Sequence, residues 1–503
     1  SDKHALSRKG LSAGSVGLLG ATVIGVSCVA PAYTITAALG PIAAKVGYQS
    51  PAIILMGFLP MLLVAFGYRE LNRAMPDSGT SFTWVTRAFG PWAGWLAGWG
   101  LIASTVLVLS NSAGVAVDFF YLMLDELFAN RGLADLRANP VINVATCMVF
   151  MAIATIISYR GMEATKAVQY VLVGFQAVVL LLFGGVALYM VQNGTAFDPT
   201  AVSLSWFNPF EVPSLSAIAA GLSLSIFIFW GWDVTLTMNE ETRGARSTPG
   251  QAATLTVLVT AFLYVLTATA VISFAGLGET GLGLGNPEVQ SNVFFAMAKP
   301  VLGVVAILVS IAVVSSSGAS LQSTMVSPSR TMLAMAHYGA LPGALSAISP
   351  RFKTPSIAIL TSTLVSSVFY AVMRFVSEHV LWDTVAALGI MICFYYSITA
   401  FASVWYFRRQ WFKSRTNLFY QLVFPLVGGV MLAALFIRTI IDSMDPGFGS
   451  GSHIGGVGLV FILGMMIIVV GLALMVAMAV ARPGFLRGET LTRGVSDGKE
   501  DHG

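Results

Sequence analysis

LLGATVIGVSCVAPAYTITAALG (residues 18–40) and AAGLSLSIFIFWGWDVTLTMNEET (219–242) are apolar stretches of membrane-spanning length, each interrupted near its middle. Gly25 and Pro31 interrupt the first, Gly231 and Asp233 the second. In hydrocarbon every backbone polar group needs a partner, so an unwound helix persists only where its freed groups face protein, water or a bound solute. Two broken spans in matching positions of two halves point to structural repeats that meet around a solute site at the bilayer midplane.

The rest of the chain confines it to a membrane. Hydrophobic residues make up 56% and charged residues only 10%, whereas a soluble domain carries about 25% charge. Twelve apolar segments follow one another between residues 14 and 480, most of them reaching the ~20 residues that a crossing needs. With the N-terminus inside, 21 of the 27 basic residues fall in cytoplasmic segments, and only Lys45, Arg131, Arg137, Lys299, Arg374 and Arg438 fall outside. That bias predicts an even number of spans and both termini in the cytoplasm of an inner-membrane, multi-pass protein. The net charge of +4 is scattered over short loops, which excludes a nucleic-acid partner. The first apolar run reaches spanning length without a small-residue cleavage site, so it reads as a retained span. Cys28, Cys147 and Cys393 all fall within predicted spans, where neither a disulfide framework nor a metal site is expected. The glycine-rich segment 276–290 reads either as a cap over an outer vestibule or as a plain loop, and the polar tail from Gly488 as disordered.

YRELNRAMPDSGTSFTWVTRAFGPWAGWLAGW (68–99), after the second span, closely resembles the corresponding stretch of the amino acid–polyamine–organocation (APC) superfamily of permeases. ASLQSTMVSPSRTMLAMAHYGALPGALSAISPRFKTPSIAIL (319–360) is similar to the family's eighth span and following loop, and GWDVTLTMNEETRGARSTPGQA (231–252) to the end of its sixth span. The resemblance covers residues 8–410 and implies an all-α membrane protein of twelve transmembrane helices. Its core is a LeuT-like 5+5 inverted repeat with helices 1 and 6 broken, joined by two accessory helices. The corresponding units are a cytoplasmic N-terminus (1–13), a first five-helix repeat (14–192), a second (214–410), accessory helices 11 and 12 (418–480) and a cytoplasmic tail (481–503). Many relatives carry a Gly-Ser/Thr-Gly turn in the first span whose amides hold a substrate carboxylate. Here the nearest alignment gives Gly25-Val26-Ser27, followed by Cys28-Val29-Ala30-Pro31, and Pro31 removes one donor. Gln176 stands where relatives often have Lys or another ionisable residue.

The expected substrate site therefore runs over Gly25, Val26, Ser27, Cys28, Val29 and Ala30 of the first break and Phe227, Ile228, Phe229, Trp230 and Gly231 of the second. Asn111, with Ser110 and Ser112, and Tyr395, with Tyr396, are candidates for cavity hydrogen bonds; Trp232 has no assigned role. Alignment makes Phe227 the candidate gate over bound solute. Asp233 is an acid near the middle of an apolar span, where a charge costs at least ~2.5–3.5 kcal/mol. It is read as a proton carrier, a helix-end cap or the partner of a substrate amine. Ser315, Ser316 and Ser317 of the eighth span either ligate Na⁺ with first-span carbonyls or pack helices. Gly90, Gly94 and Gly98 form a packing ridge, and Glu240 and Glu241 are either a salt-bridged inner gate or a solvated helix end.

No nucleophile–base pair, phosphate-cradling loop or zinc-helix motif is present, so an enzyme is not expected, nor any cofactor or metal. Transport would draw on a gradient, and one charge moved across 100 mV supplies ~2.3 kcal/mol. None of the five His residues (4, 337, 379, 453 and 502) falls within a predicted span, which leaves a carboxyl as the proton-carrying group. The expected function is import of an amino acid or related amine with a proton. The alternatives are a substrate–product exchanger, a Na⁺-coupled carrier or, in another class, a channel or transceptor-like sensor.

Overall fold

The computed structural model describes residues 9–290, 292–376, 380–449 and 451–496. Helix dominates them. The one two-stranded ribbon pairs His453–Ile454 (β1) with Val457–Gly458 (β2) among the described residues. Among the described residues ten stretches are long and apolar enough to cross a membrane, and the first, Leu18–Ala74, is 57 residues long. It folds as α1 (Leu18–Val29), α2 (Pro31–Val46) and α3 (Ser50–Ala74). The short α4 (Ser81–Phe89) leads into α5 (Pro91–Phe128), and α6 (Arg131–Asp135) into α7 (Pro140–Tyr159) and α8 (Met162–Gln192).

After α8 come α9 (Leu215–Ile228), α10 (Val234–Thr237) and α11 (Thr248–Ala275). The outer connection contains α12 (Pro287–Gln290) and α13 (Val293–Leu302). Then follow α14 (Ile307–Thr324), α15 (Val326–His337), α16 (Ser356–Val376) and α17 (Val380–Tyr406). The chain closes with α18 (Arg415–Asn417), α19 (Phe424–Ser443) and α20 (Leu459–Ala481). His337 is the last residue of α15, at the end of a candidate span, and His453 lies in the ribbon. His4, His379 and His502 lie outside the described residues.

Burial separates centre from periphery. Of the most apolar part of α5, 94% is buried, against 22% for the stretch ending in α19 and 33% for α20. Gly94 and Gly98 let α5 approach its neighbours, since a Cβ at Gly94 would run into Thr86 and one at Gly98 into Met335 and Phe82. Gly90, by contrast, is the turn between α4 and α5. Cys28, Cys147 and Cys393 are all free and buried.

The first break lies one turn beyond Gly25. Gly25 is inside α1, pressed so close to α11 that a Cβ would come within 2.3 Å of Thr256 Oγ1. The helix stops at Ala30, which is left-handed at φ 57°, ψ 64°, and Pro31 opens α2 at its first position, where its missing N–H leaves no bond unmade. The tail is a second correction. Residues 488–496 lie against the body of the protein, with Leu491 buried and the Ser496 N–H bonded to the Tyr406 carbonyl, because main-chain groups that composition does not reveal find partners there. Segment 276–290 is packed as well: Leu284 and Val289 are buried, and a Cβ at Gly40 of α2 would meet the Gln290 main chain.

Candidate functional site

The two interruptions touch. α9 ends at Ile228, and the chain turns through Phe229–Asp233 before α10 begins. Gly231 takes φ 111°, which favours glycine, and a Cβ there would stand 3.1 Å from both the carbonyl carbon and the sulfur of Cys28. Tyr264 of α11 bridges both breaks. Its hydroxyl donates to the orphan carbonyl of Ile228 at 2.6 Å and is hydrogen-bonded to Thr34 in the first turn of α2.

Neutral groups hold the first break. The Ser320 hydroxyl donates to the Cys28 carbonyl at 3.2 Å, Ser27 and Ser323 share a hydrogen bond at 2.9 Å, and Thr324 lies 3.5 Å from the Cys28 sulfur. The Tyr33 N–H donates to Ser316 Oγ and the Ala32 N–H to Gln176 Oε1. The three expected serines are placed differently from one another. Ser316 receives a first-span N–H, Ser317 bonds back to Val313 and Val314 of its own helix, and Ser315 is half-buried. Ser320 is the hydroxyl that reaches a first-span carbonyl. Residues 316, 320, 323 and 324 share one helical face, a spacing legible in the sequence but not used.

A narrow cavity opens beside the breaks, lined by Cys28, Val29, Tyr33, Thr34, Val108, Asn111, Ser112, Phe227, Trp230, Ser320 and Leu388. It brings together Cys28, Val29, Asn111, Phe227 and Trp230 of the expected set and carries no charged side chain. Tyr33 donates its hydroxyl proton to Asn111 Oδ1. Gly25, Val26, Ser27, Ala30, Ile228, Phe229, Gly231 and Tyr395 are not among the lining residues. Phe229 packs instead on Phe58 and Tyr264, and Ser110 bonds to the Val106 and Ser366 carbonyls.

Asp233 lies behind this lining. Trp230 Nε1 donates to the Tyr395 hydroxyl at 2.9 Å, and the Gly231 N–H donates to that of Tyr396 at 3.3 Å. Each hydroxyl in turn donates a hydrogen bond to the acid, Tyr395 to Oδ2 at 3.1 Å and Tyr396 to Oδ1 at 2.8 Å. The carboxyl thus accepts on both oxygens and makes no side-chain cap bond to α10, which removes the helix-cap reading. Trp232 is wedged between Tyr68 and Tyr396. No group of His, Cys, Asp and Glu suited to a metal occurs among the described residues.

A family profile described as amino acid permease matches residues 16–451. The chain belongs to this family. Among its relatives, the permease is 26% identical over 311 residues to the branched-chain amino acid permease BcaP of Bacillus subtilis, covering 60% of this chain and 62% of that one. It is 20% identical over 402 residues to the low-affinity putrescine importer PlaP of Escherichia coli, covering 79% and 82%. It is 24% identical over 344 residues to the methylthioribose transporter of Bacillus subtilis, covering 66% and 69%. The chain thus spans about three fifths of the Bacillus subtilis BcaP. Membership, with the ten apolar helices among the described residues, indicates a multi-pass membrane protein of a permease family.

At the face where both described ends of the permease meet, charges replace hydroxyls. Val16 pairs with Thr242 in a parallel bridge, stapling the start of the first span to the end of the sixth. Glu241 is fully buried and takes a two-pronged hydrogen bond from Arg330 of α15, Nε to Oε1 at 2.8 Å and Nη2 to Oε2 at 3.0 Å. Lys9 bridges Asp77 at 2.8 Å and Glu240 at 2.9 Å, and the Tyr338 hydroxyl donates to Asp77 at 2.6 Å. The solvated-helix-end reading of Glu240 and Glu241 is therefore wrong, because their cations arrive from segments distant in sequence. Burial draws the Lys9 pKa down, but Asp77 and Glu240 outweigh it and leave the ammonium above its ordinary value. Burial likewise opposes ionisation of Asp77, and Lys9, with donated hydrogen bonds, holds that carboxyl below its ordinary value.

Proposed function

We propose that this permease imports an amino acid, or a related amine, by alternating access around the two breaks. Twelve crossings arranged as a 5+5 inverted repeat with two accessory helices would carry it in the inner membrane, with both termini in the cytoplasm. The observation that supports the reading is the charge-free cavity beside the contact of Cys28 with Gly231. Its hydroxyl and amide groups on Tyr33, Thr34, Asn111, Ser112 and Ser320 suit a compact polar head. Val29, Val108, Phe227, Trp230 and Leu388 suit an apolar body. A diamine needs a carboxylate at each end, and none lines this cavity, so a neutral amino acid fits better than a polyamine. Phe227 serves as the gate.

Asp233 is the proton-carrying group of this scheme. As a carboxylate it receives two tyrosine protons. Protonation turns one oxygen into a donor, and the tyrosine facing it must then rotate its hydroxyl hydrogen away and accept, so proton binding rearranges the contact between α17 and the sixth-span break. The test is uptake of labelled leucine and putrescine into liposomes under imposed proton or sodium gradients. Leucine accumulation driven by protons, lost in Asp233→Asn while downhill flux remains, is the expected result. Sodium-driven accumulation would move the coupling to the hydroxyl cluster of α14. Obligatory counter-substrate would indicate an exchanger, flux without saturation a channel, and binding without accumulation a sensor. Leucine should also protect Cys28 from a thiol reagent.

A further inference from the structure

The segment after α20 does not leave the protein. Phe485, 1% exposed, stacks obliquely on Phe82 of α4 with ring centroids 5.1 Å apart, and Leu486 and Leu491 are buried. The Thr490 hydroxyl donates to the Tyr338 carbonyl at 2.7 Å. Arg87 donates to the Thr492 carbonyl and receives the Gly494 N–H on its own carbonyl, both at 2.9 Å. Arg493 donates to the Phe89 carbonyl at 2.7 Å, and the Ser496 N–H to the Tyr406 carbonyl at 3.1 Å. This strap therefore ties together the ends of α15, α4 and α17.

The same elements carry the charged closure. Tyr338 holds Asp77 through its hydroxyl and the strap through its carbonyl. Thr83 of α4 donates to Asp77 at 2.7 Å, and Asp77 in turn holds Lys9. Separating α4 from α15 would open this face, and the strap is bonded to the ends of both.

We propose that residues 485–496 form a latch that keeps the charged gate shut, so that the gate opens only when the strap lifts. The proposal rests on the transport reading for its purpose but not for its geometry. Three of these hydrogen bonds are neutral and two are donated by Arg87 and Arg493, all to main-chain carbonyls, and each is individually weak enough to break during a working cycle. A ligand or partner that captured the strap would then raise the open population by mass action.

The experiment uses the full chain in liposomes and needs no substrate. Loosening the strap with Phe485→Ala and Thr490→Val should raise N-ethylmaleimide labelling of Cys28, read by peptide mass spectrometry, by about fivefold or more. Coupling is reciprocal, so weakening the gate with Lys9→Ala should raise hydrogen exchange of the Gly494 and Ser496 amides several-fold. Unchanged exchange of those amides in Lys9→Ala overturns the latch, even where the strap variant does not insert. Unchanged Cys28 labelling in an inserted strap variant overturns it equally. Both responses without uptake of any solute would leave the latch standing and remove the transport reading.

Discussion

The two helix interruptions sit against each other yet are held by opposite chemistry. The first is a single left-handed residue, Ala30, propped by neutral hydroxyls of α14 and the Gln176 amide. The sixth-span interruption runs over Phe229–Asp233 and is held on its C-terminal side by acids: Asp233 at its end under two tyrosines, and Glu241 against Arg330 beyond α10. Hydroxyl contacts worth about 1 kcal/mol each exchange readily for water or solute. A buried carboxylate released from its partners must instead be neutralised or rehydrated. The first break is thus held by contacts that exchange readily and the sixth by acids that do not; in the proposed scheme the first would be the adaptable wall and the sixth the part that switches with a proton.

The sharpest attack on that contrast is Glu241→Ala, which strands Arg330 in the interior. Thermal unfolding in detergent should show a loss of about 3–5 kcal/mol, and a double variant with Arg330→Met should recover part of it. Next comes Gly231→Ala, which must place a Cβ at φ 111° beside Cys28. The expected cost is about 1–3 kcal/mol, with weaker leucine binding by calorimetry. If the first break is the soft one, Ser320→Ala should cost only about 0.5–1.5 kcal/mol; a cost matching that of Glu241→Ala would abolish the distinction. Ala30→Gly should be stabilising by about 1 kcal/mol at most, since glycine relieves the left-handed conformation but loses more chain entropy.

The smallest effect expected is that of pH on the Lys9–Asp77–Glu240 cluster, which His337 also faces. Asp77 is held below its ordinary value of 3.8, so its contribution is present above that pH and lost only as acid protonates it in the folded state. Lys9 is held above 10.5, so its contribution is present below that pH and lost only as alkali deprotonates it. Cys28 labelling through this face, divided by that of a free cysteine peptide at the same pH to remove the ordinary rise in thiolate, should therefore be flat from about pH 7 to 9, above the ordinary imidazole range. A rise within that window would mean that another group governs the gate.

Part of the cavity's lining was legible. Cys28, Phe227 and Trp230 follow from the paired breaks, and Asn111 from a polar residue within an otherwise apolar third span. Gly25 misled because a glycine that breaks a helix and one that lets Thr256 approach look identical in sequence. Glu240 and Glu241 misled because acids at a helix end are ordinarily solvated, and nothing local announces Lys9 or Arg330. The tail misled because polar composition predicts disorder, while its contacts are largely made to other segments' main-chain carbonyls.

The sequence by itself determined that the chain crosses a membrane many times and that two spans lose regular helix, since hydrocarbon tolerates few charges and proline and glycine act on their own backbone. Only the tertiary structure decided where the first break falls, which hydroxyls of α14 reach it, and that Asp233 and Glu241 are occupied by tyrosines and an arginine. Those outcomes depend on which groups distant in sequence are brought within hydrogen-bond reach, and reach is a property of packed helices that no local pattern encodes.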